Sequence, residues 1–489
     1  MFYIGIDSGT QSTKSVVLDF ETGDIVAQAS QSYDLISGLP AGHLEQHPSD
    51  WIDAVKNTVA SCLDQLGDRR AEVRGIGVSG QQHGLVVLDG NDEVIRPAKL
   101  WCDTSTVEQC DQFAAEFGGV DGLIAKAGNA MLPGYTIPKL LWLKQNEPDN
   151  LARVAAILLP HDYINFALTG VKRMEYGDAS GMGILNIRTK KWESDLINFV
   201  DPRVQEMLPE LGSSNVPHGT LLPDLASEWG LSSDVIVSAG GGDNMMGAIG
   251  TGNIADGTIT ASFGTSGTIY GCAEKPIIDP NGEIAAFCDS TDRWLPLVCT
   301  MNVTVVTEQV CGWFGWDHAE LEKQVSSVPA GSEGVSFLPY LNGERTPNLP
   351  NGTGVIHGLG ARTGSPAHMA RAAMEGATLG LAYGLRRFNE LGLTPGEIRL
   401  TGGGSKSGIW RQISADVFGV LVVGLATAEG AGLGGAIQAA HADGQGSYEE
   451  LCGRLVLLDE STRCEPEAEA AGVYREKLDR QVALTGVLK

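Results

Sequence analysis

Basic residues are in short supply. The chain has 34 Lys and Arg against 60 Asp and Glu, a formal net charge of −26. So acidic a surface argues against nucleic acid and against an anionic membrane as partners, since both recruit positive charge. Long apolar runs are also missing. The start, Met1-Phe2-Tyr3-Ile4-Gly5-Ile6-Asp7, lacks the basic region and apolar stretch of a secretory leader. The longest weakly apolar stretch, residues 420–440, is broken by Glu429 and several glycines, which disqualifies it as a membrane span. The nine cysteines are dispersed, odd in number and never spaced as Cys-x-x-Cys, so reduced thiols in a cytoplasmic protein are expected. No G-x-x-x-x-G-K-[ST] occurs, which excludes the Walker type of phosphate loop. Low-complexity tracts and long linkers are absent too.

What is present points to a large folded protein. A length of 489 residues is enough for two to four domains, and 43% hydrophobic with 19% charged residues is the balance of a packed chain. Glycine is in excess: 64 residues is close to twice the usual share of about 7%. Residues 3–7, 14–20 and 25–32 read as an antiparallel opening of three strands. Pro48 and the spacing of Trp51, Ile52, Val55, Val59, Cys62, Leu63 and Leu66 predict a helix that stops at Gly67. Short apolar runs at 73–80 and 84–88 follow, so the pattern is α/β.

An internal echo suggests two similar α/β halves with a ligand between them. Ile4–Ser12 and Thr258–Gly267 are both strands running into a Gly-Thr turn. Val235–Ser238 running into Gly240-Gly241-Gly242-Asp243 is matched by Ile398–Thr401 running into Gly402-Gly403-Gly404-Ser405. The boundary is expected near residues 245–255.

Several of these turns carry chemistry. Asp7-Ser8-Gly9-Thr10-Gln11-Ser12-Thr13-Lys14 offers backbone N–H groups and hydroxyls to a phosphate, with Lys14 adding charge and Asp7 able to hold Mg2+ through water. Gly264-Thr265-Ser266-Gly267 offers a second such turn. Two loops from two halves can grip a polyphosphate from opposite sides. In Gly240-Gly241-Gly242-Asp243-Asn244, three glycines strip the side chains around one carboxylate, which positions Asp243 as a general base for a hydroxyl, although an aspartate capping a helix would look the same. Gly80-Gln81-Gln82-His83-Gly84 sets amides and an imidazole where they can hydrogen-bond a polyol, although a lone histidine in such a turn is more often structural. Trp101-Cys102-Asp103 pairs an aromatic with a carboxylate, as sugar sites do and as a buried tryptophan beside a solvated aspartate would. Gly402–Gly408 runs into a predicted helix, and its N–H groups favour an anion.

Taken together and in this order, these motifs resemble the FGGY carbohydrate kinases, most closely their xylulose kinase branch. The resemblance runs from Ile4 to about Ala440. Gly134-Tyr135-Thr136-Ile137-Pro138-Lys139-Leu140-Leu141-Trp142 fits the first signature of that family, and Gly354–Leu359 followed by His368-Met369 and Met374-Glu375 fits its second. Glu45-Gln46, Asp178-Ala179-Ser180-Gly181 and Pro339–Pro347 also look like segments of that branch.

The resemblance implies two ribonuclease-H-like domains of the actin-like ATPase type around a central cleft, with residues 1–247 mainly binding sugar and 248–489 mainly binding nucleotide. It implies Asp243 as general base and Asp7 as a second catalytic residue near metal and phosphates. Gln82, His83, Trp101, Asp103 and Asn244 become candidate sugar ligands. Thr10, Gln11, Ser12, Lys14, Gly264, Thr265, Ser266, Gly403, Gly404 and Ser405 become candidate nucleotide ligands. ATP and Mg2+ are the implied cofactors and a homodimer the implied assembly. The expected reaction is phosphorylation of the 5-hydroxyl of a ketopentose, D-xylulose foremost, with D-ribulose, L-ribulose or another polyol as alternatives and an actin-like nucleotide switch as a remote one. Two departures bear on the sugar: Gln82 stands where that branch commonly has methionine, and Ser105 where it often has arginine.

Overall fold

The computed structural model describes residues 1–427 and 429–488. Its first half is built on a seven-stranded sheet. The opening strands β1 (Phe2–Ser8), β2 (Ser12–Asp19) and β3 (Ile25–Ser32) are antiparallel, as the sequence predicts. Helix α1 (Pro48–Leu66) starts on its proline, buries Trp51, Val55, Val59, Cys62 and Leu63, and ends at Gly67. Strand β4 (Val73–Gly80) then lies parallel to β1. Helices α2 (Thr136–Asn146) and α3 (Pro160–Thr169) precede three short strands, β5 (Gly219–Thr220), β6 (Ile236–Val237) and β7 (Gly241–Gly242). The order across the sheet is β5-β6-β4-β1-β2-β3, and β7 continues alongside β4. Helix α4 (Asp243–Gly250) leaves β7 directly, so Asp243 is its first residue.

The second half repeats this plan. Strands β8 (Thr258–Phe263), β9 (Gly267–Gly271), β10 (Ala285–Cys288) and β11 (Trp294–Thr300) form the antiparallel part. Helix α5 (Pro366–Glu390) crosses the sheet before β12 (Glu397–Thr401), which pairs parallel with β8. Strand β13 (Leu421–Leu425), helix α6 (Gly430–Ala442) and strand β14 (Leu458–Cys464) complete it, in the order β10-β11-β9-β8-β12-β13-β14. These are two ribonuclease-H-like units, and each sheet has its own buried apolar cluster.

The topology corrects one expectation. In the first unit the middle parallel strand is β4 and the outer one β6; in the second they are β12 and β13. Gly402–Gly404, at the end of β12, therefore correspond to the turn at Gly80 and not to Gly240–Gly242. The two glycine triplets sit one strand out of step, and sequence alone does not order such turns.

Helices α4 and α6 hold the units together. α6 lies against β1 and β4 of the first unit, and a Cβ on Gly5 would fall 1.8 Å from the Gly432 carbonyl oxygen. A Cβ on Gly434 would fall 1.9 Å from the carbonyl oxygen of Met246 in α4. Backbones approach this closely only where both lack side chains. Among the described residues, no helix is long and apolar enough to cross a membrane.

Candidate active site

The site lies where the ends of β1, β4 and β7 meet the start of α4, opposite the second unit. Helix α4 presents Asp243 and Asn244 in succession. Asp243 Oδ1 accepts from the Asn244 backbone N–H at 2.7 Å and from Asn244 Nδ2 at 2.8 Å. The same Nδ2 donates to Gln82 Oε1 at 2.7 Å, while Asn244 Oδ1 accepts from the hydroxyl of Thr268 in β9 at 3.1 Å. This chain of bonds fixes both amide orientations. An ionised Asp243 only accepts, so it turns the Asn244 amino group toward itself and the Gln82 oxygen toward that amino group. The Gln82 Nε2 that is left is buried and has no hydrogen-bond partner.

Burial pushes the Asp243 carboxyl up to about 7, with the negative charges of Asp7 and Asp178 adding to the shift. Asp7, on β1, is also raised by burial; the hydroxyl of Ser79 on β4, which donates to its Oδ1 at 2.9 Å, works the other way. Two half-buried carboxyls raised by burial, with the charge of Asp7 adding to the shift of Asp243, are a site for a cation or a proton.

His83 follows Gln82 with φ at 62°, a left-handed backbone that a non-glycine residue adopts at a cost. Lys139 Nζ and Thr136 Oγ1 of α2 hold it there, donating to the His83 carbonyl at 2.7 and 3.1 Å. Among the described residues no carboxylate pairs with the Lys139 ammonium, and burial lowers it to about 7. The imidazole is packed by Tyr135 and by Phe287 of the second unit, each 5.3 Å away between ring centres.

The remaining candidates divide. Trp101 Nε1 donates to Thr10 Oγ1 at 2.9 Å, and that hydroxyl donates to Gln81 Oε1 at 3.1 Å. The Thr10 side chain is thus committed to the wall near Trp101, and Gln11 and Ser12 remain open at the turn. Lys14 is paired across the units with Glu429 at 2.9 Å, so its charge is already neutralised. The turns at Gly264–Ser266 and Gly403–Ser405 lie side by side after the parallel strands β8 and β12. Backbone bonds from Val303 and Thr304 anchor the first of them.

Asp103 does not reach the cleft. It is fully buried, and its oxygens accept from Lys99 Nζ at 3.0 Å, the Leu44 N–H at 3.0 Å, and Ser105 N and Oγ at 2.9 and 2.5 Å. His43, Glu45 and Asp103 are spaced as metal ligands, yet Lys99 Nζ fills their centre, 3.2 Å from His43 Nδ1 and 3.3 Å from Glu45 Oε1. Trp142 lies 4.1 Å beneath that ammonium. The expectation of Asp103 as a sugar ligand is therefore corrected to a structural ion pair. Ser105 belongs to the same cage.

Ser79, Thr268, Lys139 and Asp178 hold the site and were not singled out as site residues by sequence. A further one is Gln438 of α6, which accepts from the Ser238 hydroxyl at 2.7 Å and from the Gly240 N–H at 2.8 Å and so fixes the turn before Asp243.

Residues 2–250 match the N-terminal domain, and residues 259–442 the C-terminal domain, of the FGGY family of carbohydrate kinases. The xylulose kinase of Haemophilus influenzae is 43% identical over 484 residues, 98% of each chain. The solved ligand-bound xylulose kinase of Lactobacillus acidophilus superposes with a TM-score of 0.93 at 27% identity, covering 100% of this chain and 98% of that one. The gluconate kinase of the same organism gives the same TM-score, identity and coverage. Overall shape is thus shared by kinases of different sugars.

Proposed function

The chain belongs to the FGGY family of carbohydrate kinases, and from that premise we propose that it transfers the γ-phosphoryl group of ATP to the 5-hydroxyl of D-xylulose, giving D-xylulose 5-phosphate and ADP. The observation that carries this reading is the half-buried Asp243 carboxyl, held near neutrality beside an unpartnered amide donor on Gln82. Asp243 Oδ1 is engaged by Asn244, which leaves Oδ2 to take the hydroxyl proton. As that proton moves to Oδ2, the bond from the sugar oxygen to the γ-phosphorus forms and the bond from that phosphorus to the β,γ-bridging oxygen breaks, releasing ADP. Gln82 Nε2 and His83 orient the ketose. Gln11, Ser12 and the turns at Gly264–Ser266 and Gly403–Ser405 hold the nucleotide with backbone N–H groups and hydroxyls.

Asp7 fits Mg2+ held through water: its carboxyl is raised by burial and its charge raises Asp243 in turn, a charge pairing that a nearby cation relieves. When bound, that ion supplies positive charge against the phosphates.

The test is a coupled ADP-release assay with Mg-ATP and D-xylulose, D-ribulose, L-ribulose, L-xylulose, glycerol or no sugar, run beside Asp243→Ala. Fast release with D-xylulose alone, abolished in the variant, is the expected result. Preference for another ketose overturns the substrate, and release independent of sugar overturns the assignment of a sugar acceptor.

A further inference from the structure

Behind His83 lies a row of buried ionisable groups that the phosphoryl transfer above does not use. Asp178 stands on the helical turn Tyr176–Ala179, which is capped by Glu175 and wholly buried at Asp178. Its Oδ2 faces His161 Nδ1 at 3.1 Å, and His161 Nε2 in turn lies 3.0 Å from Asp162 Oδ1. Its other oxygen, Oδ1, is sealed from solvent without a hydrogen bond. The same is true of His83 Nδ1, and the two atoms face each other at 3.4 Å. Among the described residues, neither atom has another hydrogen-bond partner. If Nδ1 carried a lone pair, it would face a carboxylate oxygen in a dry interior, which is repulsive; if it carries a proton, the contact becomes a charge-assisted hydrogen bond.

We propose that Asp178 fixes His83 as its Nδ1–H tautomer and thereby makes His83 Nε2 a hydrogen-bond acceptor for a ketose hydroxyl. Asp178 is then a positioning residue, acting on sugar through His83. The proposal rests on the reading of His83 as a sugar ligand.

Protonation states agree with it. Burial raises the Asp178 carboxyl, but the neighbouring His161 and His83 outweigh burial and hold it down to about 2, so it is ionised. His161 is lowered by burial but raised more strongly by Asp162 and Asp178, which makes it the cation of the row. Burial lowers His83, with Lys139 and Arg345 adding to the shift and Asp178 opposing it, so the ring is neutral and has a single N–H. Packing fixes its direction: a Cβ on Gly181 would lie 1.9 Å from His83 Cε1, so only glycine lets the ring sit between this backbone, Tyr135 and Phe287. Beside Asp243 Oδ2, the pocket thus offers the sugar an acceptor at His83 Nε2 and a donor at Gln82 Nε2. A site with fixed donor and acceptor positions rejects analogues that lack the matching group.

The test is the 15N spectrum of histidine-labelled full-length protein, with His83 assigned by loss of its signals in His83→Gln. Nδ1 is expected in the protonated range and Nε2 in the unprotonated range, with D-xylulose shifting Nε2. In Asp178→Ala the proton is expected to move to Nε2, the form free imidazole side chains prefer. The KM for D-xylulose should then rise about tenfold, the loss of one hydrogen bond, while the KM for Mg-ATP stays put. A proton on Nε2 in the unmodified protein overturns the proposal whether or not the variant folds, and so does an Nδ1–H tautomer that persists in folded Asp178→Ala. If the tautomer is as proposed but D-xylulose is phosphorylated without moving either nitrogen, the sugar-ligand reading of His83 fails, and the acceptor role with it.

Discussion

Asp243, Gln82 and His83 were legible as candidates because each sits among glycines, and a polar side chain between glycines is exposed to whatever approaches the turn. The raised carboxyl of Asp243 has two measurable consequences. In the proposed role of base it must be ionised, so kcat/KM for the sugar is expected to rise with pH through about 7 and level off above it. Asp243→Asn should flatten that limb and lower kcat by about 10²–10⁴. The second consequence concerns stability. A carboxyl whose folded pKa lies above its unfolded one costs stability when ionised; the cost is full above about 7 and fades as pH falls toward the ordinary carboxylate range. Asp243→Asn is therefore expected to melt higher than the unmodified chain at pH 8, with the gap closing in acid. An unchanged or lowered midpoint at pH 8 would contradict the burial argument. Ser79, Thr268 and Asp178 were not legible because their partners lie 72, 24 and 95 positions away in sequence (79 − 7, 268 − 244 and 178 − 83), and no local pattern records such a meeting. Asp103 looked like a sugar ligand for the same reason: the spacing shows a carboxylate beside a tryptophan but not the buried ammonium of Lys99 that claims it.

At the level of elements, the excess of glycine has a specific use in the seam formed by α4 and α6 with β1 and β4. Gly5, Gly77, Gly250 and Gly434 each stand so close to a facing carbonyl that a methyl group has no room; the Gly250 Cβ would fall 1.6 Å from the Gly430 oxygen. Gly434→Ala is expected to push α4 away from α6 and, because α4 begins at Asp243, to lower kcat together with the melting midpoint. The destabilisation should be about 1–3 kcal/mol or more, the usual range for overpacking. Gly380 in α5 is the control. It is buried and helical, yet a Cβ there meets nothing within 4 Å, because it borders a cavity of about 150 Å³ lined by Tyr340, Leu379 and Tyr383. Gly380→Ala should stabilise by about 0.4–1 kcal/mol through the unfolded chain, with activity unchanged. Thermal denaturation of both variants separates a glycine needed for contact from one that is not. The sequence announced that backbones must come close, but not which ones, since glycine-ended strands look alike. That is why the turn after β12 was first paired with Gly240–Gly242 when its counterpart is the turn at Gly80.

For the molecule as a whole, the repeat along the chain suggests two separable halves, and the packing makes them interdependent. One apolar cluster draws on both ends of the chain: Tyr3 and Leu18 from the first sheet and Met246 and Ile249 from α4 are covered by Leu433, Ala436, Ile437 and Ala440 of α6. Polar contacts follow the same path. The Tyr3 hydroxyl donates to Asp443 at 2.6 Å, Lys14 pairs with Glu429, and Gln438 holds the turn that leads to Asp243. A fragment of residues 1–256 would therefore expose an apolar sheet face and leave Gly240 without the side chain that fixes its turn. Expressed alone, it is expected to unfold without a cooperative transition and to bind hydrophobic dye. Co-expressed with residues 257–489, it should form a complex that regains sugar phosphorylation, because α6 then returns to its place against β1 and β4. A fragment that melts cooperatively at the midpoint of the intact chain would show that the cover supplied by α6 is not needed for the first sheet to fold. If the fragment fails alone and recovers in the complex, the first sheet needs the cover that α6 supplies, and the turn that leads to Asp243 needs Gln438.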